Sequence, residues 1–214
     1  MTDMNEPASV TLPMTPETAR SLRLGDMVYL EGEIVITAGL PTHHRLIECV
    51  RQQRPLPRDL SGMSLIHMGS LNQEDEHGTL DVTYINPTTS TRFNPMMPEL
   101  IRSFGLTAIG GKGGMNDECV KAMQEVGCVY FSFIGGSSPI LSDAVENVIA
   151  VDWEDMTSHF RLVTLRVRKL GPVTVAIDAH GNSLYSMLTA NAEAAQPELI
   201  RELAQKRVNA PPPS

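Results

Sequence analysis

The sequence is poor in cysteine and in aromatic residues. Of its 214 residues three are cysteines, and aromatic residues make up 5%. Cys49, Cys119 and Cys128 form an odd set without C-x-x-C spacing, which argues against a disulfide framework and against a local zinc site. We expect reduced, mostly buried thiols, with Cys49 and Cys119 on amphipathic helices and Cys128 at the start of an apolar strand. The cysteine pattern therefore predicts no metal site in this chain.

Basic residues and long apolar runs are also scarce. The formal net charge is -8, and the 17 Lys and Arg residues are scattered, which argues against a nucleic-acid surface and means that any anion must be bound locally. No apolar run approaches the roughly 20 residues of a membrane-spanning helix, so membrane insertion is not expected. Residues Met1–Glu6 lack the features of a secretory signal, and a cytoplasmic protein is the simplest interpretation.

What the sequence does contain is typical of one globular α/β domain. Hydrophobic residues make up 42% and charged residues 20%. From Asn94 onward helices and strands alternate, with glycines at the junctions. Hydrophobic periodicity predicts strands over 27–36, 65–68, 80–85, 107–109, 128–133, 148–151, 160–167 and 173–177, and helices over 15–22, 42–52, 95–104, 116–126 and 197–208, the second of them capped by Thr42.

Hydroxylated residues fill the first junction between a strand and a helix. Asn86–Arg92 contains four hydroxyls and one guanidinium after the strand that ends near Ile85. Arg92 offers a planar fork suited to a carboxylate, and Thr88 or Thr89 could both cap the next helix and contact the same ligand. The alternative is an ordinary capped turn with a surface arginine.

Glycines surround a lysine at the second junction. In Gly110–Gly114 four glycines allow a close approach of the backbone to a ligand, and Lys112 adds a positive charge. The spacing differs from that of a Walker A loop, and a plain flexible turn is the alternative.

Three other segments carry weaker signals. The third junction, Gly135–Ser138, has no charge, and tight packing alone could explain it. Of His43 and His44, neighbours on a predicted helix, at most one is expected to face a site. Asp178 and His180 are interpreted as turn residues between two strands.

Taken in order, five segments carry a family resemblance: GDMVYLEGEIVITAG, HHRLIE, PTTSTRF, GGKGGM and GPVTVAIDAHGNSL. Their order resembles the beta subunit of L-tartrate dehydratase and the C-terminal domain of class I fumarases, over roughly Leu24 to Leu184. The resemblance implies a swivelling β/β/α-type single domain with a mixed central sheet flanked by helices. It places the catalytic domain at 24–190, between an N-terminal segment 1–23 with a short helix and a C-terminal helix and proline-rich tail at 191–214.

The same resemblance implies an enzyme that is active only in a hetero-oligomer. Members of this family are hydro-lyases of the fumarate hydratase and tartrate dehydratase type. They reversibly dehydrate a 2-hydroxy (di)carboxylic acid, and their iron-sulfur [4Fe-4S] cluster is held by a partner alpha subunit through three cysteines. The chain itself is then expected to bind no metal, and its ligand is a small organic acid.

Carried over by motif, the resemblance assigns five site residues. Thr88 becomes the proton-transfer residue, whereas Arg92 and Lys112 bind the substrate's carboxylates. Thr89 is the second threonine of the same motif, and His44 matches the final histidine of the family's R-D-x-x-H. We expect all four residues other than Thr88 to bind substrate.

Two departures from the family pattern leave alternatives open. Asn86 replaces a glycine, and Leu40-Pro41 replaces the Arg-Asp pair whose arginine binds a substrate carboxylate. The loss of that charge suggests a more apolar or methyl-branched acid, or fewer charges on the substrate. A non-catalytic module that binds organic acids is a further alternative.

Overall fold

A computed structural model describes residues 7–74 and 80–208 as eight strands and six helices. The strands are β1 (Ala8–Leu12), β2 (Met27–Thr37), β3 (Ser64–Glu74), β4 (Leu80–Pro87), β5 (Ala108–Gly111), β6 (Val129–Ser132), β7 (Val145–Asp152) and β8 (Leu162–Ile177). The helices are α1 (Pro16–Ser21), α2 (Leu40–Arg51), α3 (Met97–Phe104), α4 (Asp117–Val126), α5 (Ser138–Ser142) and α6 (Leu184–Val208).

Five of the strands close into a ring. β2, β3, β5 and β6 are parallel neighbours in that order, and β8 pairs antiparallel with β6 on one side and with β2 on the other. β1, β4 and β7 extend this ring by pairing with β2, β3 and β8. The fold is the mixed α/β single domain expected from the sequence.

Alternation along the strands divides the core into two clusters. Ile34 and Ile36 of β2 belong to one cluster with Phe131 and Leu165, whereas Val35 between them belongs to the other. Because successive strand residues point to opposite faces, one strand contributes to both cores. The second cluster contains the buried faces of α2, α3 and α4, including Leu46, Leu100 and Met123.

The carboxyl ends of three parallel strands meet at one edge of the ring. The parallel pairing of β2 with β3 ends at Thr37 and His67, and β3 pairs with β5 up to Gly110. Beyond His67, β3 continues as a hairpin with β4, whose last residue is Pro87. This edge therefore brings together the turn before α2, the loop after β4 and the glycine-rich loop, and such edges are where α/β folds bind ligands.

The N-cap residue of helix α2 is Gly39 and not Thr42. Gly39 is the N-cap, and Thr42 lies inside the helix with its hydroxyl donating to the carbonyl of Phe160. The prediction of a Thr42 cap was wrong because this hydroxyl bonds a distant segment. By contrast Thr15, the first residue of the helix predicted over 15–22, does cap α1, since its Oγ1 accepts from the backbone N–H of Thr18 at 3.2 Å.

Three further elements differ from the sequence prediction. β1 was not predicted, although its Val10 and Leu12 alternate into the core. The predicted break between 167 and 173 does not occur, because β2 pairs with β8 on both sides of Gly171, at Leu170 and at Val173. α6 begins at Leu184 instead of Pro197, and the alanine-rich stretch before that proline forms its first half.

Some predictions fall partly outside the described residues. The sequence also predicts an acidic turn at 72–78, between the strands at 65–68 and 80–85. Its residues 72–74 belong to β3 and the remainder is not described, and neither is the proline tail at 211–213. The division of the chain at residues 23 and 190 stays a prediction, although β1 pairs with β2 across the first boundary. Within the described ranges no helix is long and apolar enough to cross a membrane.

Candidate functional site at the carboxyl edge

The loop after β4 and the glycine-rich loop after β5 are joined by backbone hydrogen bonds. Lys112 N donates to Thr88 O at 3.0 Å, and Ser90 N donates to Lys112 O at 2.8 Å. These bonds form a one-residue parallel bridge between Thr89 and Lys112. Two segments separated in the sequence are thereby fixed side by side, and Thr88 and Lys112 are both half-buried at the same place.

Ser90 anchors this bridge in the core. The side chain is buried, and its Oγ lies 2.8 Å from His67 Nδ1 and 2.9 Å from Tyr130 Oη. A methyl group at Gly111, where φ is +153°, would overlap Ser90 Oγ. Glycine at 111 is therefore required by the packing of the anchor.

Arg92 folds back over the loop that carries it. Its guanidinium donates to Thr88 Oγ1, and its Nε donates to Thr89 O at 3.2 Å. Neither threonine caps a helix: a 3-10 turn over Ser90–Phe93 follows without a side-chain cap, and α3 begins only at Met97. The expected capping role was wrong, and the Thr88 hydroxyl is instead held by a cation.

Arg92 and Lys112 are the two positively charged residues of the loops at this edge. Among residues 7–74 and 80–208, neither side chain forms an ion pair with a carboxylate. Two positive charges at one edge of a chain with a net charge of -8 are an arrangement suited to local binding of an anion. Six other arginines are paired with Asp or Glu: Arg45, Arg51, Arg58, Arg102, Arg166 and Arg168.

Beneath Arg92 lies a buried stack of three rings. Phe93 stacks on His43 with centroids 3.9 Å apart and lies 4.5 Å from the ring of His67. Burial lowers the pKa of His43 to about 4 and that of His67 well below its ordinary value. Both imidazoles are therefore neutral at pH 7, and together with Phe93 they form an uncharged surface beneath the Arg92 guanidinium.

Of the two adjacent histidines, His43 belongs to this ring stack and His44 does not. His43 Nδ1 lies 2.6 Å from the carbonyl of Gly39, whereas His44 is exposed on α2. In the part of the chain that the structure describes, His44 forms no hydrogen bond with Thr88, Arg92 or Lys112. Its assignment as a substrate-binding residue stays a prediction.

Packing accounts for two glycines of the second loop. Gly111 leaves space for Ser90, and a methyl group at Gly114, where φ is +75°, would overlap the ring of Tyr185. In the following helix one N-terminal N–H group is already occupied, because Asn116 Oδ1 caps α4 by accepting from Cys119 N at 3.2 Å. Lys112 supplies the positive charge of this loop.

The third junction runs beside Lys112. A side-chain carbon at Gly135 would lie 3.7 Å from Lys112 Nζ, so the loop that precedes α5 borders the ammonium group.

Asp178 is a turn residue as expected, since its Oδ1 accepts from the backbone N–H groups of His180 at 2.9 Å and Asn182 at 3.0 Å. The turn leads into α6 and not into a strand, which corrects that part of the prediction.

The three thiols do not fit an iron-sulfur cluster. Cys49 lies in α2, Cys119 in α4 and Cys128 just before β6, and all three are free and buried. Burial raises the pKa of Cys119 to about 12 and that of Cys128 well above its ordinary value, whereas metals bind thiolates. Over the described ranges no three His, Cys, Asp or Glu side chains lie together as a metal site.

Several residues around the site were not found from the sequence. Ser90, His67 and Tyr130 form the buried anchor, and Ser70 and His159 line a cavity beside Thr88. The clustered hydroxyls of Asn86–Arg92 pointed to the loop that contains Ser90. The others come from strands or loops distant in the sequence, and only the ring topology brings them together.

The structure is a mixed α/β domain with two cationic side chains, Arg92 and Lys112, at the carboxyl edge of its parallel strands. The sequence pattern of the fumarase C-terminus family matches residues 2–188, and the chain belongs to that family. The relatives described below are dehydratases and a hydratase, so the family is one of hydro-lyases.

Similar proteins come from both branches of this family. The beta subunit of Escherichia coli L(+)-tartrate dehydratase is 31% identical over 82% of this chain and 85% of its own length. A Methanocaldococcus jannaschii protein provisionally named as such a beta subunit is 36% identical over 80% of this chain and 88% of its own length. A Geobacillus stearothermophilus protein provisionally named fumarate hydratase class I is 35% identical over 81% of this chain but only 32% of its own length.

Proposed function

We propose that the chain is the beta subunit of a two-subunit hydro-lyase that reversibly dehydrates a 2-hydroxy (di)carboxylic acid. The observation that carries this proposal is a pair of cations without carboxylate partners beside Thr88: Arg92 donates to the Thr88 hydroxyl, and the Lys112 backbone is hydrogen-bonded to the Thr88 backbone. The beta-subunit names of two relatives support a partner alpha subunit and a hetero-oligomer.

In this proposal the [4Fe-4S] cluster belongs to the alpha subunit. The three thiols of this chain are buried on separate elements, and burial raises the pKa of Cys119 and Cys128, which supports that division. Activation of the leaving hydroxyl is then the cluster's part of the chemistry, as a Lewis acid. The present chain binds and orients the acid and moves the proton.

Binding would use the two free cations. The planar fork of Arg92 suits a carboxylate, and Lys112 provides a point charge for the same anion. Both are placed by backbone that is bonded to the core, so little ordering is needed when the acid arrives. Exposed His44 and Thr89 complete the proposed binding residues.

Proton transfer is assigned to Thr88. The acid loses a proton from one carbon and hydroxide from the neighbouring carbon, so that an alkene and water form. A threonine hydroxyl is a weak base, but the guanidinium of Arg92 donates to Oγ1 and stabilises negative charge on that oxygen. The hydrogen bond from Arg92 to Thr88 would therefore make the threonine hydroxyl a better base for removing the proton.

A more apolar or methyl-branched acid is the second candidate. Leu40 begins α2 and is 38% exposed, two residues after Ala38, which lines the cavity beside Thr88. An apolar side chain at this edge favours an apolar substituent on the substrate.

Coexpression with a cluster-bearing alpha subunit under anaerobic conditions tests the function. The purified complex is offered a panel of 2-hydroxy acids, and alkene formation is followed by absorbance. Turnover should fall at least a hundredfold in Thr88→Ala and Arg92→Ala. Thr88→Ser, which keeps the hydroxyl, and Arg51→Ala, which removes a surface arginine paired with Glu99, should stay close to wild type. An iron-loaded complex that turns over no acid would contradict the proposal.

A further inference from the structure

Most of helix α6 is exposed to solvent. Only its start is held by the domain, where Tyr185 Oη donates to Ser132 Oγ at 3.0 Å and Ser186 Oγ donates to Asp117 Oδ1 at 3.4 Å. Across residues 186–206 every side chain is exposed. At 1.5 Å for each of its 25 residues the helix is about 37 Å long, so a long helical surface has no cover within the described part of the chain.

A helix without cover is only marginally stable in water. Most of the stability of helices in proteins comes from packing of an apolar face against other elements. Pro197 lies inside α6 and has no N–H group to donate to the carbonyl of Glu193, so the middle of the helix lacks one of its own hydrogen bonds. The part of α6 that follows Pro197 therefore needs a surface to pack against.

One side of α6 carries a stripe of residues at helical spacing. They recur at intervals of three and four residues, which places them on one face, and all but the last line a groove along the helix. We call them the α6 stripe: Thr189, Ala192, Gln196, Leu199, Ile200 and Leu203. The three large apolar members are 55%, 57% and 58% exposed. Large apolar side chains clustered in solvent mark an interaction surface.

The two halves of the helix differ in size and in charge. Before Pro197 the stripe has small or polar side chains, and after Pro197 it has the three large apolar ones. Residues 184–199 contain two carboxylates and no cation, whereas residues 200–208 contain three cations and one carboxylate. A copy of α6 running in the opposite direction would place the acidic half beside the basic half and large side chains beside small ones. A parallel copy would place like charges together.

We propose that α6 is a self-association surface, on which a second copy of this chain packs its own α6 in the antiparallel direction. With the pair centred near Pro197, Leu203 of each copy lies over Ala192 of the other, and the leucine enters the space that the small side chain leaves. A two-fold axis relates the copies, so one patch serves both. The family pattern ends at residue 188, and this surface therefore lies beyond the part of the chain that the pattern covers.

Sedimentation equilibrium of the full chain, without any partner, tests the surface. The chain should dimerise at micromolar concentrations, and Leu199→Glu combined with Leu203→Glu should raise the dissociation constant at least tenfold, because carboxylates replace the apolar contacts. Met187→Glu, which changes an exposed methionine on the opposite face of α6, is the matched control and should dimerise like the wild type. Fluorescence of Trp153, which lies in the domain, shows that each variant is folded.

Cross-linking determines the direction of the pair. Chains with Ala192→Cys are mixed with chains with Leu203→Cys and oxidised, and a disulfide-linked dimer should form in the mixture and hardly at all in either variant alone. Only the antiparallel arrangement brings these two positions close enough for a disulfide. The three native cysteines are buried and free, so they do not compete.

Each other outcome would count against the surface. A chain that stays monomeric, or a dimer that the two leucine changes leave intact, would overturn the proposal, and cross-linking of each variant with itself would overturn the antiparallel arrangement. A chain that is monomeric alone, and that loses the alpha subunit when Leu199 and Leu203 are changed, would assign α6 to that subunit instead. Turnover is measured separately, because none of these results depends on the chemistry at Thr88.

Discussion

Thr88 and Lys112 are joined by a hydrogen bond from the lysine backbone N–H to the threonine carbonyl, 3.0 Å long. The proposed proton-transfer residue and one of its anion-binding cations are therefore positioned through main chain. The Lys112 side chain can be changed without removing that bond. A substitution of Lys112 therefore removes its charge without removing the backbone bridge.

Lys112→Met should raise the KM for a dicarboxylate about tenfold or more while the chain folds normally, because a charged contact to the substrate is lost and the backbone bridge remains. Lys112→Arg should recover part of the loss. Kinetics of the complex measure the effect. Lys121→Met, which removes an exposed lysine of α4, is the control, and an unchanged KM in Lys112→Met would exclude Lys112 from substrate binding.

Gly111→Ala should destabilise the protein by about 2 kcal/mol or more, because the new methyl group overlaps Ser90 Oγ at a backbone φ of +153°. Urea denaturation measures the free energy of unfolding. Gly62→Ala, also at positive φ but with open space around it, is the matched control and should lose about 1 kcal/mol. In a Ser90→Ala background the cost of Gly111→Ala should shrink, and purely additive effects would refute the overlap.

The stability of the protein should fall between pH 7.5 and pH 5.5. Burial lowers the pKa of His43 from 6.5 to about 4, so the unfolded chain binds a proton in this range and the folded chain does not. Stability is full above pH 6.5 and decreases as the pH falls toward 4, by about 1.4 kcal/mol at pH 5.5 for this residue. His67, whose pKa is lowered further by burial, adds to the loss.

Denaturation at both pH values checks this slope. His43→Gln should reduce it, whereas His44→Gln, which changes the exposed neighbour, should leave it as in the wild type. His43 contacts His67, Phe93 and the Gly39 carbonyl. The Gly39 contact raises the pKa of His43, whereas burial, the larger effect, and the nearby His44 and Arg92 lower it. A slope that is the same in His43→Gln and in wild type would show that His43 does not stay neutral.

The chain alone should take up no iron. Burial raises the pKa of Cys119 to about 12, so its thiol stays protonated at pH 8, and Cys128 behaves likewise. After anaerobic incubation with iron and sulfide, iron analysis should find iron only in the complex with the alpha subunit. Iodoacetamide at pH 8 should modify neither Cys119 nor Cys128 in the folded chain and should modify both in urea, as read by mass spectrometry. A cluster formed on the isolated chain would contradict the assignment to the partner.

Local patterns predicted most of the strands and helices correctly. α4 was expected over 116–126 and runs from Asp117 to Val126, because its cap and its apolar spacing are both local. β1 and the continuous β8 were missed because their existence depends on pairing with β2, which is distant in sequence. Pro197 was taken as a helix start, yet α6 passes through it.

The site was predictable where chemistry is concentrated in the sequence. The hydroxyls and arginine of Asn86–Arg92 and the lysine at 112 pointed to two loops, and the structure places these loops side by side. The contact of Thr88 with Arg92 and the packing need for Gly111 were not predictable, because they depend on side-chain directions. Ser70 and His159 gave no signal, since a single serine or histidine in a strand or loop has no pattern.

The long strand β8 has a consequence for synthesis of the chain. It bonds with β2, β6 and β7, and its last paired residue is Ile177. Until that residue has left the ribosome, β2 and β6 carry unpaired backbone edges, and the ring cannot close. We expect the nascent chain to remain open, and dependent on protection of those edges, until translation has passed Ile177.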